Sequence, residues 1–191
     1  MIAGLVLAAG LSRRMGAAKL LLPLDGKPLV RWSVERLLPH VDAVIVVTPP
    51  DDAALRAALD GLPVRFVVNP HPEAGQGASI AAGATALPAG AEAVIVALGD
   101  QPRVPDGVLA TLVDVFRRER KPIAAPVYQG TQGTPVIFAA SVFDELRAVT
   151  GDAGARAVVR MDPGRVATVR VDAPMPPDVD TPEDYARLSG S

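Results

Sequence analysis

Cysteine is absent from the sequence, and this excludes disulfides, thiolate nucleophiles and zinc sites built on sulfur. The two histidines, His40 and His71, stand far apart without the spacing of metal ligands, and we expect both at the surface. No apolar run approaches the ~20 residues needed to cross a bilayer. Because no basic residue precedes the apolar start, we expect no signal peptide and a cytoplasmic protein.

A strong excess of either charge is also missing, since the formal net charge is −2. This balance gives no reason to expect binding to nucleic acid or to an anionic membrane. The 17 glycines and 19 prolines among 191 residues stay below the ~25–30% that is typical of disordered chains. The length suits one domain at roughly 150 residues per domain, and we expect residues 1–191 to form a single domain.

Short apolar segments alternate with segments of helical periodicity along the chain. The apolar segments are residues 4–10, 43–49, 64–70 and 93–100, and then 122–130, 133–138 and 165–171. Helical periodicity is found in residues 28–38, 51–59, 78–87, 106–119, 139–149, 151–161 and 181–188. Continuous apolar runs suit strands covered on both faces, so this alternation predicts an α/β fold with a doubly wound, mostly parallel sheet.

The segment "LAAGLSRRMGAAK", residues 7–19, follows the first apolar strand. It combines three small residues at 8–10 with Arg13, Arg14 and Lys19. Small side chains let an anion reach backbone N–H groups, and the cations can bind phosphate oxygens. The spacing fits neither a Walker loop nor a Rossmann fingerprint. From the residues alone, the segment is either an anion-binding loop or a solvated loop.

Asp100 in "VALGDQP" ends an apolar strand, on the side where α/β sheets bind their ligands. A carboxylate there can coordinate Mg²⁺ as a hard oxygen ligand, or it can cap the next helix. Pro102 and Pro105 delay that helix, which favours the metal.

A family resemblance adds to this reading. "LAAGLSRRMGAAK" followed by "LLPLDGKPLV" resembles the nucleotidyltransferase signature L-A-[AG]-G-x-S-x-R-M-G-x-x-K. The likeness continues in "NPHPEAGQGASIAAG", "LGDQPRV", "GTPVIF", "GDAGAR" and "DVDTPEDY", and so spans nearly the whole chain. Together these motifs resemble the molybdenum cofactor cytidylyltransferases of the MobA-like NTP transferase family.

This resemblance implies a Rossmann-like nucleotidyltransferase fold with a nucleotide-binding half, residues 1–103, and an acceptor-binding half, residues 104–191. The implied reaction transfers CMP from CTP to the phosphate of a molybdopterin-type acceptor and releases pyrophosphate, with Mg²⁺ as cofactor. Ala9 stands where guanylyltransferases of the family typically carry glycine, and this favours CTP over GTP.

The resemblance also assigns the nucleotide site. The backbone of Ala8, Ala9 and Gly10 faces the nucleotide, Arg13 binds the β- and γ-phosphates, and Lys19 meets the α-phosphate. Arg13 and Lys19 form the implied catalytic set together with Asp100.

Further roles follow for residues outside the first motif. Asn69 and Ser79 would line the base pocket, although Ser79 can equally cap a helix. The acceptor would lie against Gly133, Thr134, Pro135 and Arg156, where Arg156 either binds a phosphate or ties down its loop.

The second metal ligand would come from "DVDTPEDY". Thr181, Pro182 and Asp184 fit the N-cap, N1 and N3 positions of a capping box, which explains them without a ligand. Asp180 has no such explanation, so we assign it to Mg²⁺ with Asp100, and Asp178 is the lesser candidate.

The implied partners are CTP or another NTP, the molybdopterin-type acceptor and a recipient molybdoenzyme, with no nucleic acid and no membrane. Three alternatives remain: transfer to a sugar or polyol phosphate, guanylyl transfer from GTP, and a non-catalytic chaperone that hands the cofactor to a molybdoenzyme.

Overall fold

The computed structural model describes residues 1–10, 15 and 18–190. The strands are β1 (Ile2–Leu7), β2 (Pro23–Leu24), β3 (Lys27–Pro28), β4 (Ala43–Thr48), β5 (Val64–Val68), β6 (Ala93–Leu98), β7 (Ile123–Tyr128), β8 (Thr131–Gln132), β9 (Val136–Ala139) and β10 (Val166–Val171). The α-helices are α1 (Leu29–Leu37), α2 (Ala53–Ala58), α3 (Gln76–Thr85), α4 (Val108–Glu119), α5 (Phe143–Ala148), α6 (Ala155–Met161) and α7 (Pro182–Ser189).

Within those residues, eight strands form one sheet in the order β10-β7-β9-β6-β1-β4-β5, and β8 pairs with β7. Strands β6, β1, β4 and β5 are mutually parallel, as are β7 and β10. Strand β9 is antiparallel to both β6 and β7, because a short hairpin connection returns the chain after β7. The α/β class and the mostly parallel sheet are therefore confirmed.

Helices cover both faces of the sheet, as the continuous apolar strands predict. Successive residues of β1 point to opposite faces, so that Val6 joins one core and Leu5 the other. Helices α1, α2 and α4 pack on the first face, and α3, α5 and α6 pack on the second. Both predicted halves of the chain contribute strands to this single sheet.

The topology creates a crevice at the ends of β1 and β6. From β1 the chain adds β4 and β5 on one side, and then returns to place β6 on the other side of β1. Two neighbouring parallel strands whose connections run in opposite directions leave an open crevice beyond their carboxyl ends. Residues 8–10 and residues 99–101 emerge there.

The β2–β3 hairpin was not predicted, because each strand is two residues long and carries a proline. Asp25 and Gly26 form its turn with φ values of 49° and 80°, which suits an Asp-Gly pair. Leu24 on β2 and Leu29 at the start of α1 pack against Val179, and Trp32, Tyr185 and Leu188 pack around them. The hairpin thus anchors the segment that precedes α7.

Helix α3 begins two residues before the predicted start, with Gly75 at its N-cap and a φ of 93°. Its first turn lies close to the loop before α6, since the Gly77 amide donates to the Gly151 carbonyl at 2.8 Å. A Cβ at Gly77 would lie 2.6 Å from the carbonyl carbon of Thr150. This close approach joins the two halves of the chain beside the crevice. In the part of the chain described, no helix is long and apolar enough to cross a membrane.

Candidate active site

Two adjoining cavities open at the carboxyl ends of β1 and β6. The smaller, of about 130 Å³, is lined by Leu7, Ala9, Gly10, Lys19, Leu20, Pro72, Gly75, Gln76, Ser79, Leu98 and Asp100. The larger, of about 500 Å³, extends towards β9 and α6. Lys19 and Asp100 line both cavities. They therefore mark the point at which a ligand in one cavity would meet a ligand in the other.

Lys19 is held between two carboxylates from distant parts of the chain. Its Nζ donates to Asp100 Oδ2 at 2.6 Å and to Asp180 Oδ1 at 2.8 Å. Burial lowers the pKa of Lys19, but the charges and hydrogen bonds of the two carboxylates outweigh this and raise it above its ordinary value. A buried lysine paired in this way remains an ammonium cation at neutral pH.

Asp100 is not a helix cap, because α4 begins only at Val108 with Gly107 as its N-cap. The preceding residue, Gly99, donates its amide to the Leu7 carbonyl at 3.0 Å. A Cβ on Gly99 would also lie 3.0 Å from that carbonyl oxygen. The ends of β1 and β6 therefore lie so close together that a side chain at position 99 would be crowded. This contact directs Asp100 into the crevice beside Lys19.

Asp180 reaches the crevice because its neighbours are fixed on both sides. Val179 is fully buried, and its amide donates to the Asp100 carbonyl at 3.3 Å. The predicted capping box of Thr181 and Asp184 is confirmed, with Thr181 N donating to Asp184 Oδ2 at 2.9 Å and Asp184 N donating to Thr181 Oγ1 at 3.2 Å. The chain thus enters α7 with the Asp180 carboxylate aimed at Lys19.

The carboxylate oxygens suit a divalent cation that keeps other ligands. Among the described residues, no group of three or more histidine, cysteine, aspartate or glutamate side chains could hold a metal by itself. However, Asp100 and Asp180 converge on one point, and Mg²⁺ is commonly bound by one or two carboxylates together with substrate phosphates and water. The donor chemistry therefore fits Mg²⁺ or Mn²⁺ with part of its coordination sphere left to a ligand.

Asp178 lies close behind this pair and adds negative charge. Burial and the charge of Asp100 raise the pKa of Asp178, and a hydrogen bond from Gln101 opposes the shift. Gln101 is 3% exposed, and its Nε2 donates to Asp178 Oδ1 at 2.6 Å. Thr134 Oγ1 donates to Gln101 Oε1, so these hydrogen bonds connect the metal side of the cleft with the loop before β9.

Three of the four residues expected to bind the acceptor line the larger cavity. They are Gly133, Thr134 and Arg156, whereas Pro135 is buried and is not among the described lining residues. The Thr134 carbonyl accepts a hydrogen bond from Tyr128 Oη at 2.9 Å, and burial raises the pKa of Tyr128 to about 12. This phenol therefore stays a donor that fixes the loop.

Arg160 is a cavity residue that the sequence reasoning missed. It lies four residues after Arg156 on α6, so both side chains occupy the same face of the helix and both line the larger cavity. Neither guanidinium hydrogen-bonds to another residue in the described ranges. The spacing in "ARAVVR" is the signal that could have identified Arg160.

The two residues expected near the base are bonded to each other. Asn69 Nδ2 donates to Ser79 Oγ at 3.0 Å, and Asn69 Oδ1 accepts from the His71 amide at 2.9 Å. Ser79 lines the smaller cavity but is not a helix cap, because α3 begins at Gln76. Asn69 is buried, and base binding by either residue stays a prediction.

Of the remaining residues predicted for the nucleotide loop, the structure describes some and not others. Ala8 and Ala9 are buried at the end of β1, Gly10 is exposed, and both Ala9 and Gly10 line the smaller cavity. Arg13 and Arg14 lie outside the described residues.

A cleft at the switch point of an α/β sheet is where such folds bind their ligands, and lysines and metal-binding aspartates are the groups that phosphoryl-transfer enzymes use. Comparison with known proteins then gives the family: the chain belongs to the MobA-like NTP transferase domain family, whose model matches residues 4–171. It is 32% identical to the purine catabolism protein PucB of Bacillus subtilis (strain 168), over 95% of this chain and 93% of that protein.

Two further comparisons cover almost the whole chain. A molybdenum cofactor guanylyltransferase of Rhodobacter capsulatus is 34% identical, over 97% of this chain and 94% of that protein. The crystal structure of Rv0371c from Mycobacterium tuberculosis H37Rv matches with a TM-score of 0.86 and 32% identity, over 100% of this chain and 97% of that chain. A second structure of Rv0371c is a complex with manganese, with a TM-score of 0.82 and 31% identity, over 100% of this chain and 98% of that chain.

Proposed function

We propose that this protein is an Mg²⁺-dependent cytidylyltransferase, which transfers CMP from CTP to the phosphate of a molybdopterin-type acceptor. The observation that carries the proposal is the convergence of Lys19, Asp100 and Asp180 where the two cavities meet. A nucleotide in the smaller cavity and an acceptor in the larger would bring their phosphates together at this point. The family supports the transfer of a nucleotidyl group.

The reaction needs little covalent chemistry from the protein. An oxygen of the acceptor phosphate forms a bond to the α-phosphorus of CTP, and the bond from that phosphorus to the oxygen bridging to the β-phosphate breaks. The bonding electron pair leaves with pyrophosphate. Because the attacking phosphate is already ionised at neutral pH, no general base is required, and catalysis consists of positioning and of neutralising charge.

Charge around Lys19 supports a requirement for a divalent cation. Asp100 and Asp180 bind the Lys19 ammonium group, and Asp178 is near enough for its charge to interact with all three. A triphosphate brought alone to this place would meet repulsion from the carboxylates. Asp100 and Asp180 would hold the cation, which would supply positive charge to the phosphate oxygens. The manganese complex of Rv0371c supports a divalent ion in the family.

The preference for CTP rests on Ala9, which lines the smaller cavity. Ala9 is 2% exposed, and it packs in the core while lining this cavity of about 130 Å³. We expect this methyl group to leave less space than a glycine would, which would favour the smaller pyrimidine base. Transfer from GTP is the second candidate, because the relative from Rhodobacter capsulatus is a guanylyltransferase.

The acceptor half of the proposal rests on Arg156 and Arg160, which line the larger cavity beside Gly133 and Thr134. A guanidinium group can donate two parallel hydrogen bonds to two oxygens of one phosphate. A sugar or polyol phosphate would satisfy the same arginines, so the acceptor has to be tested directly. A recipient molybdoenzyme and a cytoplasmic location stay predictions of the sequence.

The test incubates the purified protein with Mg²⁺, molybdopterin and each NTP in turn, and follows pyrophosphate release. Pyrophosphate release with CTP and with no other NTP is the expected result. Release with GTP only would show that the protein transfers a guanylyl group instead. Asp100→Asn should abolish release while circular dichroism reports an intact fold. The matched control is Asp144→Asn, whose carboxylate is exposed and pairs with Arg147. No release with any NTP would favour the non-catalytic chaperone.

A further inference from the structure

Gln101 has hydrogen-bond partners at both ends of its side-chain amide, and their chemistry determines which end is the NH₂ group. Its Nε2 faces two acceptors, Asp178 Oδ1 at 2.6 Å and the Pro176 carbonyl at 3.5 Å. A backbone carbonyl can only accept a hydrogen bond, so the NH₂ end of the amide must point to this side. The Oε1 end must then point to Thr134.

This orientation determines what Thr134 can offer to the cavity. A threonine hydroxyl has one proton to donate and two lone pairs that accept. Since Gln101 Oε1 can only accept, Thr134 Oγ1 donates its proton to Gln101. Thr134 is half-buried and lines the larger cavity, so a ligand that reaches its hydroxyl there would find only lone pairs.

We propose that Gln101 orients Thr134 as a specificity-determining acceptor, so that the molecule bound in the larger cavity must donate a hydrogen bond to Thr134 Oγ1. The arginines of the same cavity supply the complementary requirement, an anionic group elsewhere on that molecule. The ligand is thus an anion, such as a phosphate ester, that also carries an N–H or O–H donor. This inference rests on the proposed function, from which we take the donor to be an N–H group of a pterin ring.

The hydrogen-bonding polarity of Thr134 separates ligands that carry such a donor from phosphate esters that have none. A phosphate oxygen placed at Thr134 would face lone pairs, and repulsion would exclude it. A ring N–H would instead complete the hydrogen bonding of the hydroxyl. A polar group that loses its partner on binding costs affinity, so the discrimination is strongest against ligands that have the right shape but no donor.

The experiment measures binding, by pterin fluorescence and calorimetry, of two probes that share a phosphate. One is (pterin-6-yl)methyl phosphate, and the other is its 3-methyl-2-dimethylamino derivative, which has no ring N–H or NH₂ donor. The wild-type protein should bind the first about tenfold more tightly. Thr134→Val and Gln101→Met should both lose this preference, whereas Thr134→Ser should keep it. Thermal unfolding verifies that each variant folds, and the two non-conservative variants test the proposal independently.

Three outcomes would overturn the inference: equal affinity of the wild-type protein for both probes, an unchanged preference in Thr134→Val and Gln101→Met, or no binding of either probe. Pyrophosphate release from CTP decides the proposed function separately. Release without probe discrimination would keep the proposed function and remove the role of Gln101. Discrimination without release would keep the role of Gln101 and remove the transferase.

Discussion

Lys19 Nζ lies 2.6 Å from Asp100 Oδ2, although 81 residues separate them in the chain. Their side chains are 10% and 17% exposed, so the pair is shielded from water. Shielded pairs of this kind interact more strongly than surface pairs and are costly to break on one side only. In the nucleotide-free protein, Lys19 therefore occupies the same carboxylate oxygens that a divalent cation would use.

Replacing Lys19 should reduce catalysis and increase metal binding at the same time. Lys19→Met removes the charge that would meet the α-phosphate, and we expect kcat/KM for pyrophosphate release to fall by about 10²–10³-fold. The same change removes the ammonium group that occupies oxygens of Asp100 and Asp180, so the nucleotide-free variant should bind Mn²⁺ more tightly, as measured by electron paramagnetic resonance.

Lys27→Met is the matched control for this change. Lys27 Nζ pairs with Glu35 at 2.6 Å and lies 4.7 Å from the Trp32 ring centroid, away from the cavity linings. This variant should keep wild-type turnover and Mn²⁺ affinity. Wild-type turnover in Lys19→Met would remove that residue from the catalytic set, and unchanged Mn²⁺ affinity would contradict the competition.

Removal of divalent metal should abolish the reaction. Excess EDTA should stop pyrophosphate release, and added Mg²⁺ or Mn²⁺ should restore it. Because Asp180→Asn weakens one of two carboxylate ligands, half-maximal activity should need at least about tenfold more metal. Asp172→Asn, at an exposed position, should show the wild-type metal dependence. An EDTA-resistant reaction, or equal metal dependence in the two variants, would argue against Asp180 as a ligand.

Local patterns in the sequence predicted much of this architecture. Apolar runs located the main strands, and the two prolines after Asp100 correctly indicated that it does not begin a helix. The capping box at Thr181 was visible because its two partners lie three residues apart. Such features depend on neighbours in the chain, so a single sequence contains the information.

Contacts between distant segments could not be predicted in this way. The hydrogen bond from Thr134 to Gln101 joins residues 33 positions apart, and nothing in either motif indicates the other. The β2–β3 hairpin is too short for alternation, and its stability comes from packing on Val179 and α7. The early start of α3 depends on the close approach of Gly77 to Thr150. For the Lys19 pair with Asp100, only the family resemblance suggested that the residues would meet.

Arg160 should contribute to acceptor binding and not to nucleotide binding. Arg160→Gln removes one of two guanidinium groups on the cavity face of α6, and a charged hydrogen bond of this kind is worth about tenfold or more in affinity. We therefore expect the KM for molybdopterin to rise about tenfold while the KM for CTP stays unchanged. Arg170→Gln is the control, since Arg170 is exposed on β10 outside the cavity. A change in the KM for CTP alone would place Arg160 with the nucleotide.

The pH dependence of stability should include a contribution from Asp52, which is buried beside α2. Hydrogen bonds from Arg56 and Thr48 lower the pKa of Asp52 below its ordinary 3.8, against the opposing effect of burial. Because the unfolded chain binds this proton more readily, the stabilisation is complete above pH 3.8 and is lost as the pH falls through the lower folded value. In urea unfolding, Asp52→Asn should be less stable than the wild-type protein at pH 6, and the difference should shrink towards pH 3. Exposed Asp114→Asn should follow the wild-type curve, and a difference for Asp52→Asn that grows as the pH falls would contradict this assignment.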